Sequence, residues 1–380
     1  MKNVVIAGYC RSPFTPANKG QLITVRADDL AAQVIKGLVK KTGVTPEDIE
    51  DLILGCAFPE GEQGLNLARL VVHLADLPIT VAGTTINRFC GSSMQAIHNA
   101  AGAIQMGAGE VFICAGIESM TRVPMGGFNM MPNPDLYKSY PQAYISMGDT
   151  AENLADLYQI DRQTQEQFSV TSHHKAYQAQ KNSQLTDEII AIETTHAGTV
   201  TQDGCIRADC NEQSLAELKP AFKADGSVTA GTSSPLTDGA AAVLICSEDY
   251  ANSHHLEKLA RIKSIAVSAC LPEIMGIGPV NASRKALERA NLTLDDIDIV
   301  ELNEAFAAQS LAVLNDLPIP EHKLNLDGGA IALGHPLGAT GARITGKAAS
   351  LLKRENQQFA LATQCIGGGQ GIATILEAIS

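Results

Sequence analysis

One segment of this 380-residue chain occurs twice, and that repeat constrains the fold more than any other feature. Residues 45–58 and 293–306 align without a gap at an offset of 248 (293 − 45). Both copies begin with threonine and carry an acidic residue three positions later, a pattern typical of a helix start. Both then continue into an apolar strand. Chance similarity over so short a stretch is the alternative explanation.

The regions around the two copies also match, which favours duplication over chance. Each copy follows a predicted amphipathic helix, over 29–41 in the first half and 280–290 in the second. Each is followed by a further apolar strand, 110–115 and 358–363 respectively. Strands that alternate with helices are typical of parallel sheets covered by helices. The sequence therefore predicts an α/β protein built from two similar halves packed against each other.

One long segment has no counterpart in the repeat. Residues 118–235 contain loops rich in proline, glycine and methionine, then a long polar helix predicted from 161 to 182. We therefore assign residues 1–117 together with 236–257 to the first half. Residues 118–235 form an inserted loop domain, and residues 258–380 form the second half.

Composition excludes several classes of protein. A formal net charge of −13 argues against non-specific nucleic-acid binding, which requires a basic surface. No signal peptide and no apolar run of about 18 residues is present, so we expect no membrane span. The nine cysteines follow no framework spacing, and Cys205 and Cys210 are too far apart for a metal knuckle. We expect no metal and a reducing, cytoplasmic location.

Cys90 follows a predicted buried strand, 81–86, and precedes a segment with apolar residues at helical spacing. A cysteine at a helix N-terminus lies close to unpaired N–H groups and to the positive end of the helix dipole. Both favour the thiolate, which is the nucleophilic form. The alternative is a packed structural thiol, since free cysteine is among the most buried residue types. Position alone leaves these interpretations even.

His335 occupies the matching place in the second half, within a strand-to-helix segment, 325–338, that contains four glycines. If the halves are related by a pseudo-twofold axis, the loops carrying Cys90 and His335 converge. An imidazole beside a thiol is the pairing that activates cysteine nucleophiles. A lone histidine is more often structural, but the glycine-rich setting and the symmetric placement favour catalysis.

Two further segments are candidates for the same site. Residues 365–371 follow a strand and are dominated by glycine, which permits close approach of a ligand and leaves backbone N–H groups free for an oxyanion hole. Cys365, at its start, could exchange protons at neutral pH if its pKa is lowered. Asn303 lies at the end of the strand in the second copy of the repeat. Its side chain could donate to an oxyanion or hold a water, or it could simply cap a helix.

Together these motifs resemble the thiolase family across nearly the whole chain. The matching segments are 87–93, 303–306, 334–336 and 365–369, with 147–152 and 229–234 similar to the coenzyme A segments of that family. The resemblance implies a fold of duplicated α/β domains, layered α-β-α-β-α, with an inserted loop domain.

The resemblance also implies a mechanism for an acyltransferase. Cys90, activated by His335, would attack the 3-keto carbon of a 3-ketoacyl-CoA. Cys365 would protonate the acetyl-CoA enolate that leaves, and would then deprotonate an incoming CoA thiol. One oxyanion hole would use His335 and a water held by Asn303, and the other the backbone N–H groups of Cys90 and Gly367.

Four residues are assigned to substrate binding by the same resemblance. Ser234 would contact the pantetheine of CoA, Met147 and Phe306 would shape the acyl end, and Phe222 would lie near the adenine. Coenzyme A is then a substrate, and no permanently bound cofactor is expected.

One departure indicates the subgroup. Ser146 stands where many acetoacetyl-specific thiolases carry histidine, and Gly91-Ser92-Ser93 replaces their Gly-Ser-Gly. These features are similar to the degradative 3-ketoacyl-CoA thiolases of fatty acid β-oxidation. For such an enzyme we expect a homodimer or homotetramer, some members joining a multifunctional β-oxidation complex.

Three other functions are alternatives. The first is an acetoacetyl-CoA thiolase working in the condensing direction. The second is a ketoacyl synthase-like condensing enzyme, which Cys365 disfavours because such enzymes usually carry histidine or asparagine there. The third is a non-catalytic acyl-CoA-binding protein, which the presence of all four catalytic candidates disfavours.

Overall fold

A computed structural model describes residues 2–379 of the chain. The strands are β1 Val4–Arg11, β2 Thr15–Pro16, β3 Asp51–Gly55, β4 Ala82–Ile86, β5 Val111–Ser119, β6 Ile192–Thr194, β7 Gly198–Val200, β8 Thr237–Ser247, β9 Ala260–Ala269, β10 Ile299–Leu302, β11 Phe359–Ile366 and β12 Gln370–Glu377. The α-helices are α1 Ala27–Thr42, α2 Leu67–Leu74, α3 Ser92–Met106, α4 Pro134–Ser139, α5 Met147–Tyr158, α6 Arg162–Lys181, α7 Glu212–Ala216, α8 Glu248–Ser253, α9 Gly278–Ala290, α10 Ala307–Asp316, α11 Ala330–Leu333 and α12 Leu337–Arg354.

The main sheet contains the same strand arrangement twice. Its order is β4-β3-β5-β8-β1 in the first half and β10-β11-β12-β9 in the second, joined by a short antiparallel pairing of β1 with β9. In each half the first pairings are parallel and the later ones antiparallel. A single bridge between Val300 and Leu324 takes the place of the β3–β4 pairing in the second half.

Strand register confirms the duplication seen in the sequence. Leu54 pairs with Ala115 in the first half, and Leu302 pairs with Thr363 in the second. Both members of the pair are displaced by the 248 residues that separate the sequence repeats. The two copies are therefore equivalent in three dimensions, and residues at this offset occupy matching places.

Helices and sheet halves form five layers. One apolar core packs α1 and α2 on the outer face of the first half, and another packs α9 on the outer face of the second. A third core places α3 and α12 between the two sheet halves and contains residues from both. This is the predicted α-β-α-β-α arrangement, in which the central helices begin at the loops that carry the candidate site.

The structure differs from the sequence predictions in three places. The sheet is mixed rather than parallel, because β8 and β12 run antiparallel to their neighbours. Strand β4 was predicted to be buried, but it forms the sheet edge, and Ala82 and Thr84 are exposed. The helix-start pattern at Thr45 gives one 3-10 turn, Pro46–Asp48, without a side-chain cap, and Thr293 instead donates to Asp296 in a turn.

The segment between β5 and β8 contributes no strand to the main sheet. It contains α4 to α7 and the β6–β7 hairpin. Its long polar helix is α6, within one residue of the predicted bounds. Across residues 2–379, none of the helices combines the length and apolar character needed to cross a membrane.

Candidate active site

Cys90 lies in the turn between β4 and α3, where it is buried. The preceding residue, Phe89, has a φ of 43°, in the left-handed region that few non-glycine residues occupy. Its N–H donates to Asn87 Oδ1 at 2.8 Å, and its carbonyl accepts from Ser92 Oγ at 2.6 Å. Backbone strain held in place by such bonds is typical of functional turns. Since α3 begins at Ser92, Cys90 does lie at a helix N-terminus.

Burial decides the resting state of the Cys90 thiol. It raises the pKa of Cys90 to about 12, although hydrogen bonds from the backbone N–H groups of Gly367 and of Cys90 itself act in the opposite direction. The Cys90 thiol is therefore protonated at rest, because desolvation outweighs these hydrogen bonds. The two N–H groups against the sulfur are nevertheless the pair assigned to one oxyanion hole.

His335 is held by groups on both of its ring nitrogens. Thr340 Oγ1 donates to the Pro336 carbonyl at 3.0 Å, so at 2.6 Å from His335 Nδ1 it accepts the imidazole N–H. That leaves the lone pair on Nε2, which faces Asn303 Nδ2 at 3.3 Å. Burial, assisted by Arg343, lowers the pKa of His335 to about 3. The imidazole is thus neutral at rest and able to accept a proton at Nε2.

Asn303 follows β10 and is fully buried beside His335. Its backbone N–H donates to the Thr363 carbonyl at 3.0 Å, which holds it next to β11. Its side-chain Oδ1 has no hydrogen-bond partner within the described protein. A buried amide oxygen without a partner can accept from a ligand or an ordered water, which fits the role predicted for Asn303.

Cys365 lies near the end of β11, immediately before the glycine-rich turn. Gly368 and Gly369 have φ values of 80° and 82°, a conformation that favours glycine. Burial raises the pKa of Cys365 well above its usual range, and the nearby Cys90 adds to the effect. The Cys365 thiol therefore does not have the lowered pKa considered for it. At rest it is protonated, so it can donate a proton but cannot yet accept one.

The four candidate residues lie in one region. Leu337, two residues after His335, packs in the same apolar cluster as Cys90. Phe306, three residues after Asn303, packs in the same cluster as Cys365. Met147 packs against both clusters, the one that contains Cys90 and the one that contains Cys365.

The substrate-binding candidates extend from this region along one wall. Phe222 packs edge to face on Phe306, with ring centroids 5.8 Å apart, and is partly exposed. The Ser234 N–H donates to the Ala305 carbonyl at 3.0 Å, so Ser234 lies beside the same strand end. Phe222 and Phe306 are therefore neighbours, and the assignment of Phe222 to the adenine end stays a prediction.

Sequence reasoning missed Glu118, which joins the connection between β3 and α2 to the start of α12. Its carboxylate accepts from the backbone N–H groups of Ala57 at 2.8 Å, Phe58 at 3.2 Å and Gly338 at 2.9 Å. It also accepts from Gln63 Nε2 at 2.8 Å. A single acid inside the apolar strand β5 was the signal that could have identified it.

Two more positioning residues were missed. Thr340 holds the His335 imidazole, and Gln364 Nε2 donates to the Cys90 carbonyl. Neither has a sequence signal beyond its closeness to a motif. Among the described residues no group of three or more histidine, cysteine or acidic side chains is arranged to bind a metal ion.

Comparison with known proteins assigns both halves to one family. The model of the thiolase N-terminal domain matches residues 4–249, and that of the thiolase C-terminal domain matches residues 256–378. The 3-ketoacyl-CoA thiolase of Bacillus subtilis is 45% identical, covering 99% of this chain and 100% of the relative. That of Idiomarina loihiensis is 46% identical, with both chains fully covered.

Solved structures agree with the sequence relatives. Human mitochondrial 3-ketoacyl-CoA thiolase superposes with a TM-score of 0.92 at 38% identity, covering 100% of this chain and 99% of that one. The Bacillus anthracis acetyl-CoA acetyltransferase superposes with a TM-score of 0.91 at 39% identity and the same coverage. The fold alone therefore does not separate these two activities.

Proposed function

The chain belongs to the thiolase family, and we propose that it is a 3-ketoacyl-CoA thiolase that cleaves 3-ketoacyl-CoA with free CoA. The products are acetyl-CoA and an acyl-CoA shortened by two carbons. The observation that carries the proposal is that the full-length similarity coincides with one buried site containing Cys90, Cys365, His335 and Asn303. We place the reaction in fatty acid β-oxidation.

The first step forms the acyl-enzyme. The Cys90 sulfur attacks the 3-keto carbon while its proton passes to Nε2 of His335. Because the pKa of Cys90 is raised to about 12 and that of His335 is lowered to about 3, proton transfer must accompany carbon–sulfur bond formation. The backbone N–H groups of Cys90 and Gly367 stabilise the resulting oxyanion.

The carbon–carbon bond then breaks, and the acetyl-CoA portion leaves as an enolate. The newly protonated Nε2 of His335 donates to the enolate oxygen, and a water held by Asn303 supplies the second hydrogen bond. Cys365, which carries its proton at rest, gives that proton to the enolate carbon. It then takes the proton of the incoming CoA thiol, whose sulfur attacks the thioester and displaces the Cys90 sulfur, which regains its proton from Nε2 of His335.

Coenzyme A acts as a substrate in this scheme, so no resident cofactor takes part. Met147, Phe306 and Phe222 line one continuous wall from the two thiols to the exterior. Ser234 lies at the same wall, where it can contact the pantetheine. All nine cysteines are free thiols, which supports a reducing, cytoplasmic setting.

Thiolysis across a chain-length series tests the function. We expect CoA-dependent cleavage of 3-ketoacyl-CoA substrates with chains both equal to and longer than acetoacetyl. Mass spectrometry should find the acyl group on Cys90. Activity confined to acetoacetyl-CoA would instead support the acetoacetyl-CoA thiolase, and an absence of any Cys90 adduct would support a non-catalytic binding protein.

Cys365→Ala tests the division of labour between the two thiols. The variant should still be acylated at Cys90 by acetyl-CoA but should lose carbon–carbon bond cleavage. Cys270→Ala is the matched control, since Cys270 is a partly buried thiol near Cys365 without an assigned role. Unchanged turnover in Cys365→Ala would contradict the proton-transfer role.

The sheet edge supports association into a dimer or tetramer. Among the described residues β4 pairs only with β3, and Ile79, just before β4, is 71% exposed. An open edge beside exposed apolar side chains is a pairing surface. Light scattering should give a multiple of the 40.1 kDa chain mass, and Thr84→Lys, which places a charge on this edge, should reduce it.

A further inference from the structure

We propose that the buried ion pair between Glu301 and Arg343 positions Asn303 against His335, and so acts on the carbon–carbon bond step. The inference rests on the proposed function, since it concerns the enolate-binding side of that site. Glu301 Oε2 accepts from Arg343 Nη1 at 2.8 Å, and both side chains are 1% exposed. Neither residue contacts the thiols, so both are positioning residues rather than catalytic ones.

The ion pair lies beside the contact between Asn303 and His335, whose geometry it is proposed to fix. Glu301 and Asn303 are two residues apart at the end of β10, so they lie on the same side of the strand. Thr340 and Arg343 are three residues apart on α12, so they lie on the same face of the helix. The Glu301 carboxylate therefore contacts Arg343 on α12, and the neighbouring Asn303 amide contacts the His335 imidazole just before that helix.

The ion pair between Glu301 and Arg343 is poorly suited to stabilising the fold. Oε1 of Glu301 and both Nε and Nη2 of Arg343 are buried without hydrogen-bond partners in the described protein. A buried ion pair offsets its desolvation only when the remaining donors and acceptors are satisfied. Such groups in a native structure call for an explanation other than stability.

The duplicated half shows that the fold does not require the acid. Glu301 corresponds to Ile53, which occupies the same register on β3 and is buried. Asn303 corresponds in the same way to Gly55, the last residue of β3. The strand therefore accepts an apolar side chain at this place, and the glutamate occurs in the copy whose strand also provides the asparagine.

Loss of the pair is expected to act on Asn303 more than on His335. The imidazole is held by Thr340, and the His335 backbone N–H donates to Thr237 Oγ1 at 3.1 Å. The Asn303 side chain has only its contact with His335. The guanidinium of Arg343 also helps to lower the pKa of His335, which agrees with an ion pair close to the imidazole.

Two half-reactions separate the steps. Transfer of acetyl from acetyl-CoA to isotopically labelled CoA passes through Cys90 and its oxyanion hole. Exchange of the acetyl hydrogens of acetyl-CoA with D2O requires the enolate, and therefore Asn303 and Cys365. The test variant is Glu301→Ile with Arg343→Met, which replaces the pair by apolar groups as at Ile53, a change that often preserves stability.

We expect the double variant to keep acetyl transfer within about threefold and to lose hydrogen exchange by about 10- to 100-fold, the scale of a small misplacement in a site. Glu301→Gln keeps an oxygen that accepts from Arg343 and should retain hydrogen exchange within about threefold, even if the double variant does not fold. Glu166→Gln is the matched control, because Glu166 is likewise a buried acid in an ion pair, formed with Arg162 on α6.

Equal loss of both half-reactions in the double variant, or no loss in either, would overturn the proposal. So would a loss of hydrogen exchange in Glu301→Gln, or in Glu166→Gln, as large as the loss expected for the double variant. If the native enzyme catalyses neither half-reaction, the proposed function fails instead, and that outcome is distinct from failure of the positioning role.

Discussion

At the scale of single residues, the chemistry of the site depends on which nitrogen of His335 carries the proton. Thr340 Oγ1 accepts from Nδ1 at 2.6 Å and so keeps Nε2 free to act as the base. Asn303 lies on the other side of the ring, at Nε2. The hydroxyl of Thr340 thus determines the tautomer, although it contacts neither thiol.

Thr340→Val keeps the shape of the side chain and removes the hydroxyl. The buried N–H at Nδ1 is then left without a partner, at a cost of about 1–3 kcal/mol, so kcat for thiolysis should fall by about 10- to 100-fold. Thr340→Ser retains a hydroxyl and should keep most of the activity. Steady-state thiolysis with acetoacetyl-CoA measures both, and equal activity in the two variants would contradict the tautomer role.

Glu118 is a second residue on which several backbone segments of the site depend. In Glu118→Gln, an amide NH2 replaces an oxygen that accepts backbone N–H groups, so at least one buried donor loses its partner. We expect unfolding free energy to fall by about 2–3 kcal/mol, measured by urea denaturation. Glu110→Gln is the control, because that acid is half-exposed and its ion-pair partner Lys2 is exposed, so the change should alter stability by under about 0.5 kcal/mol.

At the scale of secondary-structure elements, the backbones of α12 and β5 lie too close together for a side chain to fit between them. A Cβ atom on Gly116 would lie 2.1 Å from the Gly338 carbonyl oxygen, and one on Gly338 would lie 2.5 Å from the Ile117 carbonyl oxygen. Backbone atoms cannot move aside as a flexible side chain can. This contact brings the start of α12, and with it His335, against the first half of the molecule.

Gly116→Ala should therefore push β5 and α12 apart and lower unfolding free energy by about 2–3 kcal/mol, with a loss of activity. Gly102→Ala is the matched control on the exposed side of α3, where an added Cβ meets nothing within 4 Å. That change should raise stability by about 0.5–1 kcal/mol, because alanine favours the helix. Similar effects in the two variants would show that the close approach is unimportant.

The elements that sequence periodicity predicts are those with local signals. Helix α1 spans Ala27–Thr42 where 29–41 was predicted, and α9 spans Gly278–Ala290 where 280–290 was predicted. The antiparallel placement of β8 has no such signal, because its pairings with β1 and β5 are distant in sequence. Strand β12, in contrast, pairs with β11 in a local hairpin across the glycine turn 367–369. An apolar strand such as β4 likewise does not reveal whether it lies at the centre or the edge of a sheet.

The site divides in the same way. Cys90 follows β4, Asn303 follows β10 and Cys365 lies near the end of β11, so their place follows from local pattern. His335 instead lies between α11 and α12, where the sequence predicted a strand-to-helix segment. The protonation of these residues does not follow from local pattern, because it depends on complete burial by distant segments. For this reason the sequence predicts the helix N-terminus at Cys90, which the start of α3 at Ser92 confirms, but not the raised pKa of its thiol.

At the scale of the whole molecule, buried histidines connect proton uptake to folding. Burial lowers the pKa of His98 to about 3, of His173 to about 4 and of His335 to about 3. Unfolded histidine titrates near 6.5, so below that pH the unfolded chain binds more protons and stability falls. Glu301 acts in the opposite direction, since burial raises its pKa to about 7 and the folded chain keeps that proton.

Between about pH 6 and 5 the three histidines take up protons on unfolding, whereas Glu301 and the buried Glu118, Glu304 and Asp238, whose pKa values burial also raises, release them. Urea denaturation at several pH values gives the slope of unfolding free energy against pH, to which each buried histidine contributes about 1.4 kcal/mol per pH unit. His98→Gln, away from the thiols, should reduce that slope by about 1.4 kcal/mol per unit. His196→Gln, on the exposed β6–β7 turn, should leave it unchanged, and the same slope in both variants would contradict the assignment to buried histidines.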